Sequence, residues 1–190
     1  MKERVAGRAP RAVFIVPRSV SGEMGRVVLG IDPSLRGTGF GIIQIANPHP
    51  RTLSYGTISC PKTWERSRCL AKISETLRRE VRKHRPVICV VEGLFYAQNL
   101  QTALIMGEAR GAALAAIAEN GIDIFEIAPR KVKQAIVGYG AAQKSAVAKM
   151  VQRLLALSEL PAPDAADALA LALAHTRENS RYSLSPSKKI

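Results

Sequence analysis

Apolar residues recur along this chain in two alternating rhythms. Val27-Val28-Leu29-Gly30-Ile31 and Val87-Ile88-Cys89-Val90-Val91 are short uninterrupted apolar runs, the mark of strands buried on both faces. They predict strands over 26–32 and 87–92. Gly37–Ala46 reads as a further strand, reached through a tight Pro-Ser-Leu-Arg-Gly turn too short for a parallel crossover, so it should run antiparallel to the first. A third strand over 51–60 follows the turn at Asn47-Pro48-His49-Pro50. Residues 64–84 then change period: Leu70, Ile73, Leu77 and Val81 share one helical face, with Arg66, Lys72, Arg78, Arg79, Arg82 and Lys83 opposite. The pattern continues with a helix over about 99–119, a short strand at 123–127, and helices over about 129–136, 143–157 and 164–177. The expected architecture is α/β, a five-stranded mixed sheet flanked by helices. A right-handed crossover through helix 64–84 places the first and fourth strands side by side at its centre.

Four acidic residues interrupt this pattern. Asp32 and Glu92 end the two apolar runs, and Asp164 and Asp167 open the apolar segment Asp164-Ala165-Ala166-Asp167-Ala168-Leu169-Ala170-Leu171. A carboxylate at the end of a buried strand loses hydration and needs a cation or hydrogen-bond donors to stay ionised. Central neighbouring strands bring Asp32 and Glu92 together at the carboxyl edge of the sheet, where open α/β sheets carry their sites. Asp164 and Asp167, at i and i+3, share a helix face. If that helix crosses the same edge, four carboxylates meet. Hard oxygen ligands favour Mg²⁺, with Mn²⁺ as the alternative, over zinc. Helix capping after Pro163 accounts for Asp164 but not for Asp167, set among alanines and leucines.

Charge narrows the substrate. The chain of 190 residues carries a formal net charge of +13. The excess is spread: residues 1–26 hold six Lys/Arg against two Asp/Glu, and residues 176–190 hold four against one. Acidic metal ligands inside a basic protein suggest phosphodiester chemistry on a nucleic acid. Cys60, Cys69 and Cys89 are odd in number and lack CxxC spacing, which reads as reduced core thiols inside the cell, in the cytoplasm. His49, His84 and His175 form no zinc motif, and no apolar stretch is long enough for a bilayer. Residues 1–25 read as a disordered basic extension or a mis-assigned start ahead of Met24, 26–178 as one folded domain, and 179–190 as a frayed basic tail. Two polar residues of helix 99–119 carry weaker expectations. Asn99 is an N-cap that also reaches backbone phosphate, and Arg110 is a solvated charge or a phosphate contact.

Several segments together resemble the RuvC family of bacterial Holliday junction resolvases. They are Gly30-Ile31-Asp32-Pro33 with Thr38-Gly39-Phe40-Gly41, Val91-Glu92-Gly93-Leu94-Phe95, Gly107-Glu108-Ala109-Arg110-Gly111, Val132-Lys133-Gln134 through Gly138, Gly140 and Lys144-Ser145, and Asp164–Ala170. The resemblance runs from about residue 26 to 176. It implies an RNase H-like fold and a homodimer that binds four-way junction DNA and cuts two opposed strands symmetrically, leaving 5′ phosphate and 3′ hydroxyl ends. It also implies a RuvA–RuvB branch-migration motor as partner. By the same resemblance Asp32, Glu92, Asp164 and Asp167 become the catalytic carboxylates. Phe95 becomes the aromatic wedge at the junction centre, and Lys133 and Lys144 become basic groups near the scissile phosphate. Ser34 and Gly93 depart from the family pattern, the second by replacing a larger polar residue beside Glu92.

The residue types suit the reaction on their own. Two metal ions about 4 Å apart activate a water and stabilise the leaving 3′ oxygen of an in-line displacement, and Lys144 adds charge stabilisation to the phosphate. Phe95, beside Tyr96 in a loop after a strand end, suits base stacking. Half of an actin-like or sugar-kinase ATPase, a junction-binding module without catalysis, and a ribosomal-RNA-processing relative of the same fold are the rivals. The first requires a duplicated domain that this chain does not repeat.

Overall fold

The computed structural model describes residues 25–93, 99–178 and 187–190. The strands are β1 (Val27–Asp32), β2 (Gly37–Gln44), β3 (Arg51–Ser59), β4 (Ile88–Glu92), β5 (Asp123–Ile127) and β6 (Lys188–Lys189). The helices are α1 (Arg66–His84), α2 (Leu100–Ala118), α3 (Pro129–Val137), α4 (Lys144–Leu154) and α5 (Pro163–Glu178). One sheet runs in the order β3-β2-β1-β4-β5-β6. As expected, β1 pairs antiparallel with β2 and parallel with β4.

The sheet has six strands, not five. The difference lies in the segment read as a frayed tail: Lys188 and Lys189 pair with Glu126 and Phe125 of β5. The Lys189 ammonium lies 2.7 Å from Asp123 Oδ1, and Ile190 N donates to Ile124 O at 3.0 Å. Polar composition suggested solvent, but β5 presents an otherwise unpaired edge, whose backbone groups accept any short extended segment. Residues 1–24 and 179–186, and with them the proposed basic arm, lie outside the described residues.

Strict alternation sorts the strands into two cores. Leu29, Ile31, Cys89 and Val91 face α1 and α2, packing on Cys69, Ile73, Leu77, Ala113 and Ile117. Val28, Val90, Ile43 and Ile127 face α3, α4 and α5, packing on Val132, Val147, Leu169 and Leu173. All three cysteines are buried free thiols. Helix α5 is buried nearly all round, as its alanine-rich sequence requires. Among the described residues no helix is long and apolar enough to cross a membrane.

Glycine permits α5 to lie directly on the sheet. Gly30 of β1 and Gly41 of β2 are register partners, and Gly39 pairs with Asp32. A Cβ on Gly30 would collide with the Ala168 carbonyl oxygen and stand 2.9 Å from Ala172 N. One on Gly39 would collide with the Asp164 carbonyl, and one on Gly41 would stand 2.7 Å from Leu169 Cδ2. Glycine inside strands marks such a close approach. The helix backbone thereby rests in a trough of bare strand backbone, with Asp164 at the carboxyl edge of β1.

Gly39→Ala therefore forces α5 off the sheet. The expected cost is about 3 kcal/mol, the upper part of the usual overpacking range, measured by chemical denaturation. Unchanged stability would show that the helix is not seated on this glycine.

Candidate active site at the carboxyl edge of the sheet

The alternation that sorts the cores also aims the acids. Asp32 follows Gly30 and Val28, and Glu92 follows Val90 and Ile88, so both carboxylates point to the face covered by α5. Each lies one residue beyond the Ile31–Val91 pair on adjacent parallel strands. Asp164 and Asp167 look down on them from the first turns of α5, and Asp164 Oδ2 stands 2.7 Å from where a Gly37 Cβ would be. Burial, then repulsion from Asp167, pushes the Asp32 carboxyl up to about 6 against the pull of Lys144. Burial, then repulsion from Asp32 and Asp167, pushes Glu92 up to about 7, opposed by Lys144 and Lys133. The four acids therefore share one electrostatic site.

Lys144, the first residue of α4, reaches into this site from the largely exposed side. Its Nζ lies 2.7 Å from Asp167 Oδ2, and that hydrogen bond holds its pKa above the ordinary lysine value. The carboxylates shift one another's ionisation, yet among the described residues no three acidic, histidine or cysteine side chains are drawn to ion-holding distance. Lys144 neutralises part of the charge at Asp167. The donor set is all oxygen, and its raised carboxyl pKa values register burial first and then the negative charge of neighbouring acids. Those properties fit a hard divalent cation.

The other expected site residues divide. Lys133, in α3, is half-buried and close enough for its charge to act on Glu92. Asn99 caps α2, its Oδ1 accepting from Gln101 N at 2.8 Å. Phe95 falls in residues 94–98, outside the described residues. Arg110 is not a surface residue: it is 7% exposed. Its Nη1 donates to the Glu92 carbonyl and its Nη2 to Glu126 Oε2, each at 2.6 Å. Both its donor edges are thus spent inside the protein, and neither the solvated charge nor the phosphate contact holds. Arg110 instead pins the end of β4 from behind, which supplies rigidity at Glu92 where Gly93 provides no side chain. The signal was legible: Arg110, Ala113 and Ile117 form an i, i+3, i+7 stripe on the buried face of α2.

Comparison with known proteins agrees with this geometry. The family model described as crossover junction endodeoxyribonuclease RuvC matches residues 28–175. A relative of that name from Akkermansia muciniphila is 45% identical over 148 residues, covering 78% of this chain and 89% of its own. One from Chromohalobacter salexigens is 40% identical over 162 residues, covering 85% and 87%. Among solved structures, T. thermophilus RuvC in complex with Holliday junction substrate superposes with a TM-score of 0.79 at 31% identity, covering 87% of this chain and 99% of that one. The yeast mitochondrial Holliday junction resolvase Ydc2 shares the fold, with a TM-score of 0.58 at 14% identity over 81% of this chain and 79% of its own.

Two measurements follow. Asp32 and Glu92 bind protons more readily folded, at about 6 and 7, than unfolded, at their ordinary 3.8 and 4.5. Their contribution favours the folded state below the unfolded values and is lost as pH rises through 6 to 7. Asp32→Asn should therefore raise the stability of the protein in EDTA at pH 8 by roughly 1–2 kcal/mol, and by less at pH 5, while abolishing cleavage. Equal or lower stability at pH 8 would contradict the site's charge balance. Arg110→Ala should cost roughly 2–3 kcal/mol, below the value for a fully buried pair because the Glu126 side chain is 31% exposed. Replacing both partners, as Arg110→Met with Glu126→Leu, should recover stability but leave kcat depressed, because the Glu92 carbonyl still lacks its donor. Recovery of kcat would reduce Arg110 to a packing role.

Proposed function

The chain belongs to the RuvC family of crossover junction endodeoxyribonucleases, and on that premise we propose that Asp32, Glu92, Asp164 and Asp167 form the centre with which it resolves four-way junction DNA. The observation that carries this reading is the convergence of four mutually repelling carboxylates on one sheet edge, inside a protein of net charge +13. Family nucleases are metal-dependent. Mg²⁺ or Mn²⁺, two per site, is the cofactor that the oxygen donor set suits, and when bound it supplies an activated water and charge for the leaving oxygen.

The chain's own residues do the remaining work. Asp32 and Glu92, on rigid central strands, set the depth of the site. Asp164 and Asp167 close it from α5. Lys144 gives up Asp167 as the phosphate enters and places its ammonium against the charge developing on the phosphoryl oxygens. Lys133 lowers the cost of keeping Glu92 ionised beside Asp32. Phe95, which follows β4 in the sequence, wedges against bases at the junction centre, and Asn99 offers a further backbone contact at the start of α2.

Symmetric incision needs two sites, and α2 offers a surface for a second copy. Leu100 and Leu104 are 77% and 59% exposed. Gly107 and Gly111 continue their line with open space where a Cβ would stand. An apolar stripe of this kind on a charged protein favours a homodimer. Mobile junctions would come from a RuvA–RuvB branch-migration motor in the cytoplasm.

The test is a synthetic mobile four-way junction with Mg²⁺. Paired nicks at symmetric positions, with 5′ phosphate and 3′ hydroxyl ends, are expected. EDTA should abolish them, Mn²⁺ should restore them, and Ca²⁺ should support binding alone. Asp167→Asn should bind the junction without cutting it. Phe95→Ala should impair cutting, with a binding loss of about 1–3 kcal/mol if a base stack is removed. Failure to cut with either metal, or equal cutting of linear duplex, would refute the proposal.

A further inference from the structure

Strand β3 reaches the carboxyl edge at Ser59, beside the catalytic face: Thr57 Cγ2 stands 3.7 Å from where a Gly37 Cβ would be, and Asp164 Oδ2 stands 2.7 Å from it. The loop that follows is tied to the β1–β2 turn. Cys60 N donates to Arg36 O at 3.0 Å. Arg36 Nη1 donates to the carbonyls of Pro61 at 2.6 Å and Trp64 at 3.0 Å. Trp64 N in turn donates to Pro61 O at 3.1 Å. This holds Trp64, half-buried against the core under α1, at the rim of the active-site edge.

Two cations are arranged on that indole. The Arg68 guanidinium carbon lies 3.8 Å from the ring centroid and Lys72 Nζ lies 5.0 Å from it. Lys72 is further fixed by donating to Ser59 O at 2.9 Å. Three other arginines of α1 are paired with carboxylates: Arg66 with Glu108 at 3.0 Å, Arg78 with Glu119 at 2.8 Å and Arg79 with Glu80 at 3.3 Å. Among the described residues no carboxylate pairs with Arg68 or Lys72. The nearby acids in sequence are Glu65, three residues before Arg68, and Glu75, three after Lys72. An arginine held over an aromatic ring is pre-organised, with less rotamer freedom to lose on binding, and its N–H donors remain available at the edge of the guanidinium plane. That edge matches the oxygens of a phosphodiester.

We propose that Trp64, Arg68 and Lys72 form a second DNA contact, a clamp on the phosphate backbone of a duplex arm of the junction outside the cleavage site. It rests on the junction-resolving reading above and extends it. The contact reads no bases, since both cations meet phosphate. Trp64 sets their direction, and Arg36 links the clamp to the turn that carries the strand beside Asp32.

Trp64 is the chain's one tryptophan, so its emission reports this surface alone. In Ca²⁺, which holds the junction uncut, titration with four-way junction should change Trp64 fluorescence saturably. Arg68→Ala with Lys72→Ala should weaken junction binding about tenfold or more near physiological salt. It should also reduce the slope of log affinity against log salt by about 2, one unit for each lost phosphate contact. The loss should fall on KM rather than on kcat, with the fold verified by an unchanged melting temperature. A wild type that cuts the junction while Trp64 emission and the double variant's salt slope stay unchanged would overturn the clamp alone. A wild type that neither binds nor cuts would overturn both the clamp and the reading it rests on.

Discussion

Helix α5 can reach the sheet only because three strand positions have no side chain, and the active site hangs on that contact. Gly30, Gly39 and Gly41 leave bare backbone where the Ala168 and Asp164 carbonyls and Leu169 settle. A helix packed on ordinary side chains stands about 10 Å from a sheet, too far for its own short carboxylates to meet those at the strand ends. Alanine on the helix and glycine on the strands bring the two backbones together instead. The arrangement sacrifices side-chain packing at the centre of the sheet, and α3 and α4 restore it by covering the outer face of α5 with Val132, Ile136, Val147 and Val151.

Once the acids are so close, their charge opposes folding. Asp32 and Glu92 are each held well above their ordinary pKa, first by burial, then Asp32 by Asp167 and Asp164, and Glu92 by Asp32 and Asp167. Lys144 and Lys133 relieve part of this from α4 and α3, so a chain with a large positive excess keeps a locally electronegative centre. The site is thus poised to take up cations and, through them, a phosphate. A fully neutralised cluster would be more stable and would have no such demand.

Helix α2 joins the proposed dimer surface to the end of β4. Its outer stripe, Leu100 and Leu104 with the open glycines beyond, is free to meet a second copy, while its inner stripe carries Arg110 to the Glu92 carbonyl. In the proposed dimer, a shift of α2 would be felt at the end of β4 through one guanidinium held at 2.6 Å on both sides. The Trp64 surface lies on the same side of the sheet, so both surfaces beyond the catalytic centre belong to the α1–α2 layer.

Much of this was legible in the chain. Period alone located the ten main elements, because burial on one or both faces writes itself into alternation and into the 3.6 repeat. The short β1–β2 turn dictated antiparallel pairing, and crossover handedness placed β4 beside β1. Asp32, Glu92, Asp164 and Asp167 stood out because charge at the ends of apolar runs needs a reason. Tertiary structure decided the rest. The stripe on α2 could place Arg110 on the buried face, but its partner Glu126, sixteen residues on, was set only by the fold. The tail became a strand because β5 had a free edge, which no local composition records. The glycine trough, the Lys144–Asp167 contact and the Arg68–Trp64 stack depend on which backbones and side chains come within a few ångströms across long stretches of chain. Sequence period fixes the face on which a residue lies, whereas the partner on that face is chosen only when the layers close.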